Sequence, residues 1–320
     1  MSVLVLVDHD RGTVTVETYE ALNLARSVIA EGEPLEAALI GTGLRGLAAD
    51  LGGRGVSKVH LVDDPILDDY GPEAWGEALA QLVVSSGPAV VIAPGTDRGN
   101  EVMAQMAARA ELPLAVNVVA YDRAAGNLTR LRWGGSLLEN AVLNSPLPFL
   151  TVAPHALDPV EPGSGESEAI EFSPLLDAGL ARTKVVDRVT LSAGATLATA
   201  PVVVSGGRGV GGSEGFAVLE ELASLLGGVV GCSRVVTNNG WRPHADQVGQ
   251  TGTRVAPTLY MACGISGAIQ HWVGCMAAKN IMAINIDPEA PMVSKADYAV
   301  IGDLHEVLPA VVAEIKRRQG

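Results

Sequence analysis

"PVVVSGGRGVGGSEGFAVLEELASLLGGVVGCSR", residues 201–234, decides the fold. The apolar run at its start reads as a strand, followed by a glycine-rich turn. A helix follows from "SEGFAVLEELASLLG", with Ser213 as its N-cap. A second apolar strand then ends in Cys232, Ser233 and Arg234. Continuous apolar strands alternating with helices imply a parallel sheet covered on both faces.

The alternation continues toward the C-terminus. "TLYMACG" is a strand, "GAIQHWVGCMAAKN" a helix, "IMAINID" and "ADYAVIGD" strands, and "LHEVLPAVVAEIKRR" a final helix. Pro309 inside that last pattern predicts a kink or the true helix start. The N-terminal part alternates in the same way, from the strand Val3–Val7 through "TYEALNLARSVIAE", "LEAALIG", "VSKVHLVDD", "GPEAWGEALAQLVVSS", "AVVIAPG" and "GNEVMAQMAARAEL". "GNLTRLRWGGSLLENAVLN" reads as a hairpin-like insertion before the strand "FLTVAP". "ALDPVEPGSGESEAIEF" reads as surface loop. The fold class is therefore α/β with two domains, residues 1–189 and 190–320, each a mostly parallel sheet flanked by helices.

Bulk composition narrows the function. The chain has 320 residues, 48% hydrophobic and 18% charged, which is the profile of a folded, core-rich protein. A formal charge of -14 opposes nucleic-acid binding, which favours basic surfaces. The cysteines, Cys232, Cys263 and Cys275, lack zinc-knuckle spacing and are odd in number, so they read as buried thiols in a reducing compartment. No stretch reaches the roughly 20 apolar residues of a membrane span, and "MSVLVLVDHDRG" lacks a signal peptide's n-region. A soluble, cytoplasmic protein is expected. His9, His60 and His155 stand isolated in the sequence, and the N-terminal domain shows no chemical constellation.

In a doubly wound sheet, ligands bind at the carboxyl ends of the strands. There the C-terminal domain places Arg208, Ser233 with Arg234, Ser266, Asn285 and Asp303. Gly207-x-Gly209-x-x-Gly212 matches the dinucleotide fingerprint. Arg208 inside it, and "CSR" where a ribose-binding acid belongs, favour an anionic ligand over a standard NAD site. A glycine turn with a solvated arginine is the plain alternative. "GISGAIQH" offers a helix start, with His271 about a turn further in. A buried histidine bonded to a backbone carbonyl is its structural alternative. "HADQVGQTGTRVAPTLY" interleaves Gln247, Gln250, Thr251 and Thr253 with glycine, a donor-rich loop or simply a solvated one. It carries no acid–base pair, nucleophile triad or metal cluster, so the pattern suits a redox cofactor that carries its own chemistry.

"VVSGGRG", "CSR", "DQVGQTGTRVAPTLY", "GISGAIQH", "AINIDPEAP" and "ADYAVIGDL", in this order and spacing, resemble the electron transfer flavoprotein α subunit over residues 200–306. "GTDRGNEVMAQMAARAELPLAVNVV" and "WGGSLLENAV" extend the likeness more loosely. The resemblance implies a Rossmann-like C-terminal domain holding FAD, completed by a β subunit in a heterodimer. It implies FAD contacts at Arg208, Ser233 and Arg234, and in the loop Val248, Gly249, Gln250 and Thr251. Further contacts are implied at Ser266, Gly267, Ala268, Ile269, Gln270 and His271, and at Asn285, Asp303 and Leu304.

Arg234 would then lie near the isoalloxazine ring, His271 would donate toward its pyrimidine carbonyl, and Thr251 would face N5. Ser266 and the backbone after it would hold the pyrophosphate, and Asn285 and Asp303 the adenosine half. The implied function is electron carriage from dehydrogenases, such as acyl-CoA dehydrogenases, to a membrane quinone oxidoreductase, with a swivelling FAD domain. An NAD-linked enzyme, a nucleotide-binding regulator and a bifurcating flavoprotein subunit are the alternatives.

Overall fold

The computed structural model describes residues 1–10, 12–186 and 195–319. The chain divides into two compact units, Met1–Trp133 with Leu137–Thr190 and Gly134–Ser136 with Leu191–Gly320. The domain boundary expected near residue 190 lies outside the described residues.

The first unit runs β1 (Val3–Leu6), β2 (His9–Asp10), β3 (Thr13–Val14), α1 (Val16–Val28), β4 (Leu35–Ile40), α2 (Ala48–Gly53), β5 (Lys58–Val62), α3 (Pro72–Ser86) and β6 (Val90–Pro94). It continues with α4 (Asp97–Ala110), β7 (Leu114–Asp122), β8 (Asn127–Arg132), β9 (Leu137–Val142), β10 (Phe149–Val152) and β11 (Glu168–Phe172). Nine strands form one sheet in the order β11-β5-β4-β1-β6-β10-β7-β8-β9. All pairs from β11 to β7 are parallel, while β7–β8 and β8–β9 are antiparallel. Successive β1 side chains enter opposite cores. Val3 and Val5 join the cluster that includes Leu22 of α1, and Leu4 and Leu6 the one that includes Leu79 of α3 and Met103 of α4.

The second unit runs β12 (Val202–Gly206), α5 (Ala217–Leu225), β13 (Val229–Cys232), α6 (Arg234–Asn238), β14 (Leu259–Cys263), α7 (Ile269–Cys275), β15 (Ile281–Asn285), α8 (Pro291–Lys295), β16 (Tyr298–Ile301) and α9 (Leu304–Gln319). Its five strands are all parallel, in the order β13-β12-β14-β15-β16. Val204 packs in the core of Phe216, Leu219 and Leu308, and Val203 in the core of Tyr260 and Ile281. Burying each such side chain stabilises the fold by about 1.5–3 kcal/mol.

Several expectations are corrected. The Pro/Gly/Ser/Glu stretch is not loop throughout. Its last residues form the edge strand β11, in parallel register with β5 from Glu168↔Lys58 to Phe172↔Val62. An edge strand tolerates the exposed glutamates that made it read as loop. Strand β7 and the short helices α2, α6 and α8 carry too little periodicity to be read from the sequence. Ser213 is not an N-cap: it has helical dihedrals (φ -61, ψ -35) and makes no capping hydrogen bond. The chain enters α5 through a 3-10 turn, Glu214–Phe216. Helix α9 begins at Leu304 and includes Pro309, so the proline is not its start.

Candidate functional site

Numbered from β12, the second sheet has the doubly wound order 2-1-3-4-5. The chain leaves β12 for one side and returns for β14 on the other, so a crevice opens at the carboxyl ends of these two strands. Two loops meet there. The Gly207 amide donates to the Cys263 carbonyl at 2.9 Å and the Gly209 amide to the Gly264 carbonyl at 3.1 Å. A Cβ on Gly207 would lie 2.3 Å from the Gly264 oxygen, which is why glycine is required. Gly207 and Gly209 thus serve close backbone packing, and their amides are not free to cradle a phosphate. Arg208 points out of this turn and is exposed, with no ion pair among the described residues.

At the end of β13, Ser233 is 8% exposed and its buried Oγ has no hydrogen-bond partner. Arg234 beside it is exposed and forms no ion pair among the described residues. The donor-rich loop is not free. Val248 donates from its amide to the Cys232 carbonyl at 2.9 Å, and the Gln250 amide to the Gln270 carbonyl at 2.7 Å. Gln247, 2% exposed, donates from Nε2 to Thr251 Oγ1 at 3.0 Å and accepts from Thr237 at 2.7 Å. Thr251 Oγ1 therefore accepts one bond from the protein and keeps its own proton for an outward donor role. Gly249 takes φ 145 where this loop passes against α7.

The "GISGAIQH" segment differs from expectation. Helix α7 begins at Ile269 with Ala268 as N-cap and ends at Cys275, so Ser266 precedes it in an extended turn. Ser266, Ala268, Ile269 and Gln270 are exposed, while Gly267 is buried. The amides from Gly267 to Gln270 donate to no carbonyl among the described residues. Gly267 has φ +84, and a Cβ there would sit 2.3 Å from the Met292 nitrogen.

His271 is 6% exposed; its Nε2 lies 2.8 Å from Tyr260 Oη, and its buried Nδ1 has no hydrogen-bond partner. Burial pushes its pKa down to about 4, opposed by the nearby Val248 carbonyl, which is not placed to complete a hydrogen bond with Nδ1. The imidazole is therefore uncharged at neutral pH.

Asn285 and Asp303 already hold protein. Asn285 donates to the Ile265 carbonyl at 3.0 Å and accepts from the Asp287 amide at 3.1 Å. Asp303 Oδ1 accepts the His305 amide at 2.9 Å at the start of α9, and its other oxygen is exposed. Leu304 is 4% exposed and packs in the core against Gly264. Cys232, Cys263 and Cys275 are free and buried, and burial pushes each thiol up to about 12.

The residues missed by sequence reasoning are Tyr260 and Thr237. Tyr260 hides in an apolar strand, but a buried tyrosine hydroxyl needs a partner, and that was the available signal. His9, His60 and His155 are not isolated. His60 bonds Glu36 at 2.7 Å, His9 the Ile40 carbonyl at 2.8 Å, and His155 Nδ1 lies 3.5 Å from Glu20. A cavity of about 780 Å³ in the first unit lies beside α1, β7, β8 and β9, but its polar lining holds no orphaned buried atom.

A 2-1-3-4-5 parallel sheet with exposed arginines and orphaned buried polar atoms near the carboxyl ends of its strands defines a doubly wound α/β unit with polar groups left open at its switch point. Residues 196–276 match the electron transfer flavoprotein FAD-binding domain, and residues 3–178 the electron transfer flavoprotein domain. The electron transfer flavoprotein subunit α of Mycobacterium tuberculosis (strain ATCC 25618 / H37Rv) is 38% identical over 99% of both chains. That of Bacillus subtilis (strain 168) is 36% identical over 98% of this chain and 97% of its own. Protein FixB of Clostridium saccharobutylicum is 33% identical over 98% and 96%. The chain belongs to the electron transfer flavoprotein α-subunit family, and electron carriage is its function. No helix among the described residues is long and apolar enough to cross a membrane.

Proposed function

We propose that the second unit is a Rossmann-like domain that binds FAD at the switch point between β12 and β14. In this reading the chain pairs with a β subunit and carries electrons from dehydrogenases, such as acyl-CoA dehydrogenases, to a membrane quinone oxidoreductase. The observation that carries it is a pair of buried atoms without partners, Ser233 Oγ and His271 Nδ1, in a unit that leaves Arg208 after β12 and Arg234 after β13 exposed. Buried polar atoms without partners are rare in folded proteins, and a ligand would satisfy both. The donor set suits FAD: fixed cations for its anionic groups and neutral donors for its ring and pyrophosphate.

When bound, FAD supplies the redox chemistry. Arg208 and Arg234 provide fixed positive charge that favours the ligand's anionic groups. Gln247 holds Thr251 so that its hydroxyl donates outward. The free amides from Gly267 to Gln270, with Ser266, offer donors to the pyrophosphate. Val248 and Gly249 set the loop against α7, and Ala268 and Ile269 cover the ligand's apolar surface. Asn285 fixes the Ile265 turn, while Asp303's free oxygen and the Leu304 backbone would meet the adenosine half.

The first unit offers the partner a surface. Strand β9 is the free edge of the large sheet and leaves Leu138 69% and Val142 68% exposed. A subunit that covers this edge removes its unpaired backbone groups from water.

The test is flavin content after co-expression with a β subunit, comparing the wild type with Ser233→Val and Arg234→Ala. Reduced flavin retention in both variants is expected. Unchanged retention and an unchanged visible spectrum in both would refute the assignment.

A further inference from the structure

Tyr260 lies in the middle of β14 and is 0% exposed. Its hydroxyl meets His271 Nε2 at 2.8 Å, with the rings tilted at centroids 6.1 Å apart. An uncharged imidazole carries a single N–H, so this contact decides which nitrogen holds the proton. Burial keeps the His271 ring neutral. Burial also holds the Tyr260 hydroxyl well above its ordinary value, so the phenol retains its proton. Ser205 Oγ, also buried beside the Tyr260 hydroxyl, has no hydrogen-bond partner other than that hydroxyl.

Two arrangements are open to the pair. If Nε2 carries the proton, it donates to the phenol oxygen and the phenol proton is left with only the Ser205 hydroxyl beside it as acceptor. Nδ1 then presents only a lone pair, with the Val248 carbonyl close by. If the phenol donates to Nε2, Nδ1 carries the proton, and the nearby Val248 carbonyl favours a proton on the ring. The second arrangement lets the Ser205 hydroxyl donate to the phenol oxygen and sets Nδ1–H, not a lone pair, near the Val248 carbonyl, which is not placed to complete a hydrogen bond.

We propose that Tyr260 is the positioning residue that fixes His271 as the Nδ1–H tautomer, so that the uncharged ring presents a hydrogen-bond donor to the flavin. This rests on the FAD reading above. Tyr260 need not touch the cofactor: it acts through His271. The arrangement gives the site a donor that stays neutral around pH 7, alongside the permanent charge of Arg234.

The test is a two-bond ¹H–¹⁵N correlation spectrum of the flavin-loaded heterodimer, with ¹⁵N-histidine in this chain. The His271 signals are assigned by their loss in His271→Gln. The expected result is a protonated Nδ1 and a bare Nε2 in the wild type. In Tyr260→Phe, which keeps the ring volume, Nε2–H should appear. FAD should still bind that variant, about fivefold more weakly, as for one lost hydrogen bond. A wild-type Nε2–H tautomer, or a tautomer unchanged in Tyr260→Phe, overturns the proposal. If Tyr260→Phe does not fold, 3-fluorotyrosine at 260, the same shape with a more acidic hydroxyl, should move the Nε2 resonance; no movement overturns the proposal. A colourless complex that takes up no added FAD defeats the FAD reading itself. That outcome shows in absorbance and cannot be confused with a wrong tautomer in a yellow protein.

Discussion

The carboxyl ends of the central strands in the two units are built from similar parts and finished differently. In the first unit, β1 is flanked by β4 on one side and β6 on the other, which is again a switch point. There the polar groups answer one another. Asp8 accepts from the Thr96 hydroxyl at 2.6 Å, and Thr96 also caps α4 by accepting the Gly99 amide at 3.0 Å. Thr18 donates to the Asp8 carbonyl and accepts its amide, both at 3.0 Å, and Arg98 donates to the His9 carbonyl at 3.1 Å. Among these groups, His9 Nδ1 alone is an orphan. At the second switch point the orphans are Ser205 Oγ, Ser233 Oγ and His271 Nδ1, and Arg208 and Arg234 are exposed without an ion pair among the described residues. The two switch points differ in how far their polar side chains answer one another, although the first also borders a cavity of about 600 Å³ lined by His9, Tyr70 and Arg98.

The sharpest way to break this contrast is to close the second crevice by force. Gly267→Val introduces a Cβ 2.3 Å from the Met292 nitrogen at a left-handed backbone position. It should cost about 3 kcal/mol or more and abolish flavin retention, measured by urea unfolding and absorbance.

Acidification probes the buried ring next. His271 has its folded pKa lowered to about 4 from an ordinary 6.5, so the unfolded chain binds more protons between these values. Stability from this group is present above pH 6.5 and is lost as pH falls toward 4. The loss is on the order of 3 kcal/mol, and unfolding curves for His271→Gln should lack that component. Asp8 has the opposite sign: burial raises its carboxyl above the ordinary 3.8, although the Thr96 hydroxyl and Arg98 oppose the shift. Its protonation therefore favours folding fully below 3.8, and that contribution is lost as pH rises through the raised folded value.

Smaller effects should separate by unit. Arg234→Ala removes an exposed charge that braces nothing in the protein. It should leave unfolding unchanged while weakening FAD binding by about 10- to 100-fold in a flavin titration. Thr96→Ala should do the reverse. It strips the cap of α4 and a partner of Asp8, costing about 1–2 kcal/mol in denaturation with flavin content unchanged.

Much of this architecture is written in local pattern. The run of β12, α5 and β13 announced a parallel sheet because buried strands flanked by helices need continuous apolar residues. Strand ends put Arg208, Ser233, Arg234 and Ser266 at the crevice for the same reason. What the sequence hid depends on partners distant along the chain. Glu168–Phe172 reads as polar loop until β5 supplies its ladder. The fingerprint glycines read as a phosphate cradle until Gly264 is seen accepting the Gly209 amide. Tyr260 reads as one more apolar strand residue until His271 folds over it. Helix α7 read too long because "MAAKN" continues its composition, although the helix stops at Cys275.

In the proposed reading the crevice at the second unit's strand ends holds FAD. That reading is tested most directly by purifying the chain with a β subunit and recording its visible spectrum, before and after stepwise dithionite reduction. The account predicts flavin bands at one FAD per second-unit crevice, bleached on reduction and diminished in Arg234→Ala and Ser233→Val but not in Thr96→Ala. A colourless heterodimer that takes up no added FAD, or flavin bands insensitive to both crevice variants, would contradict it.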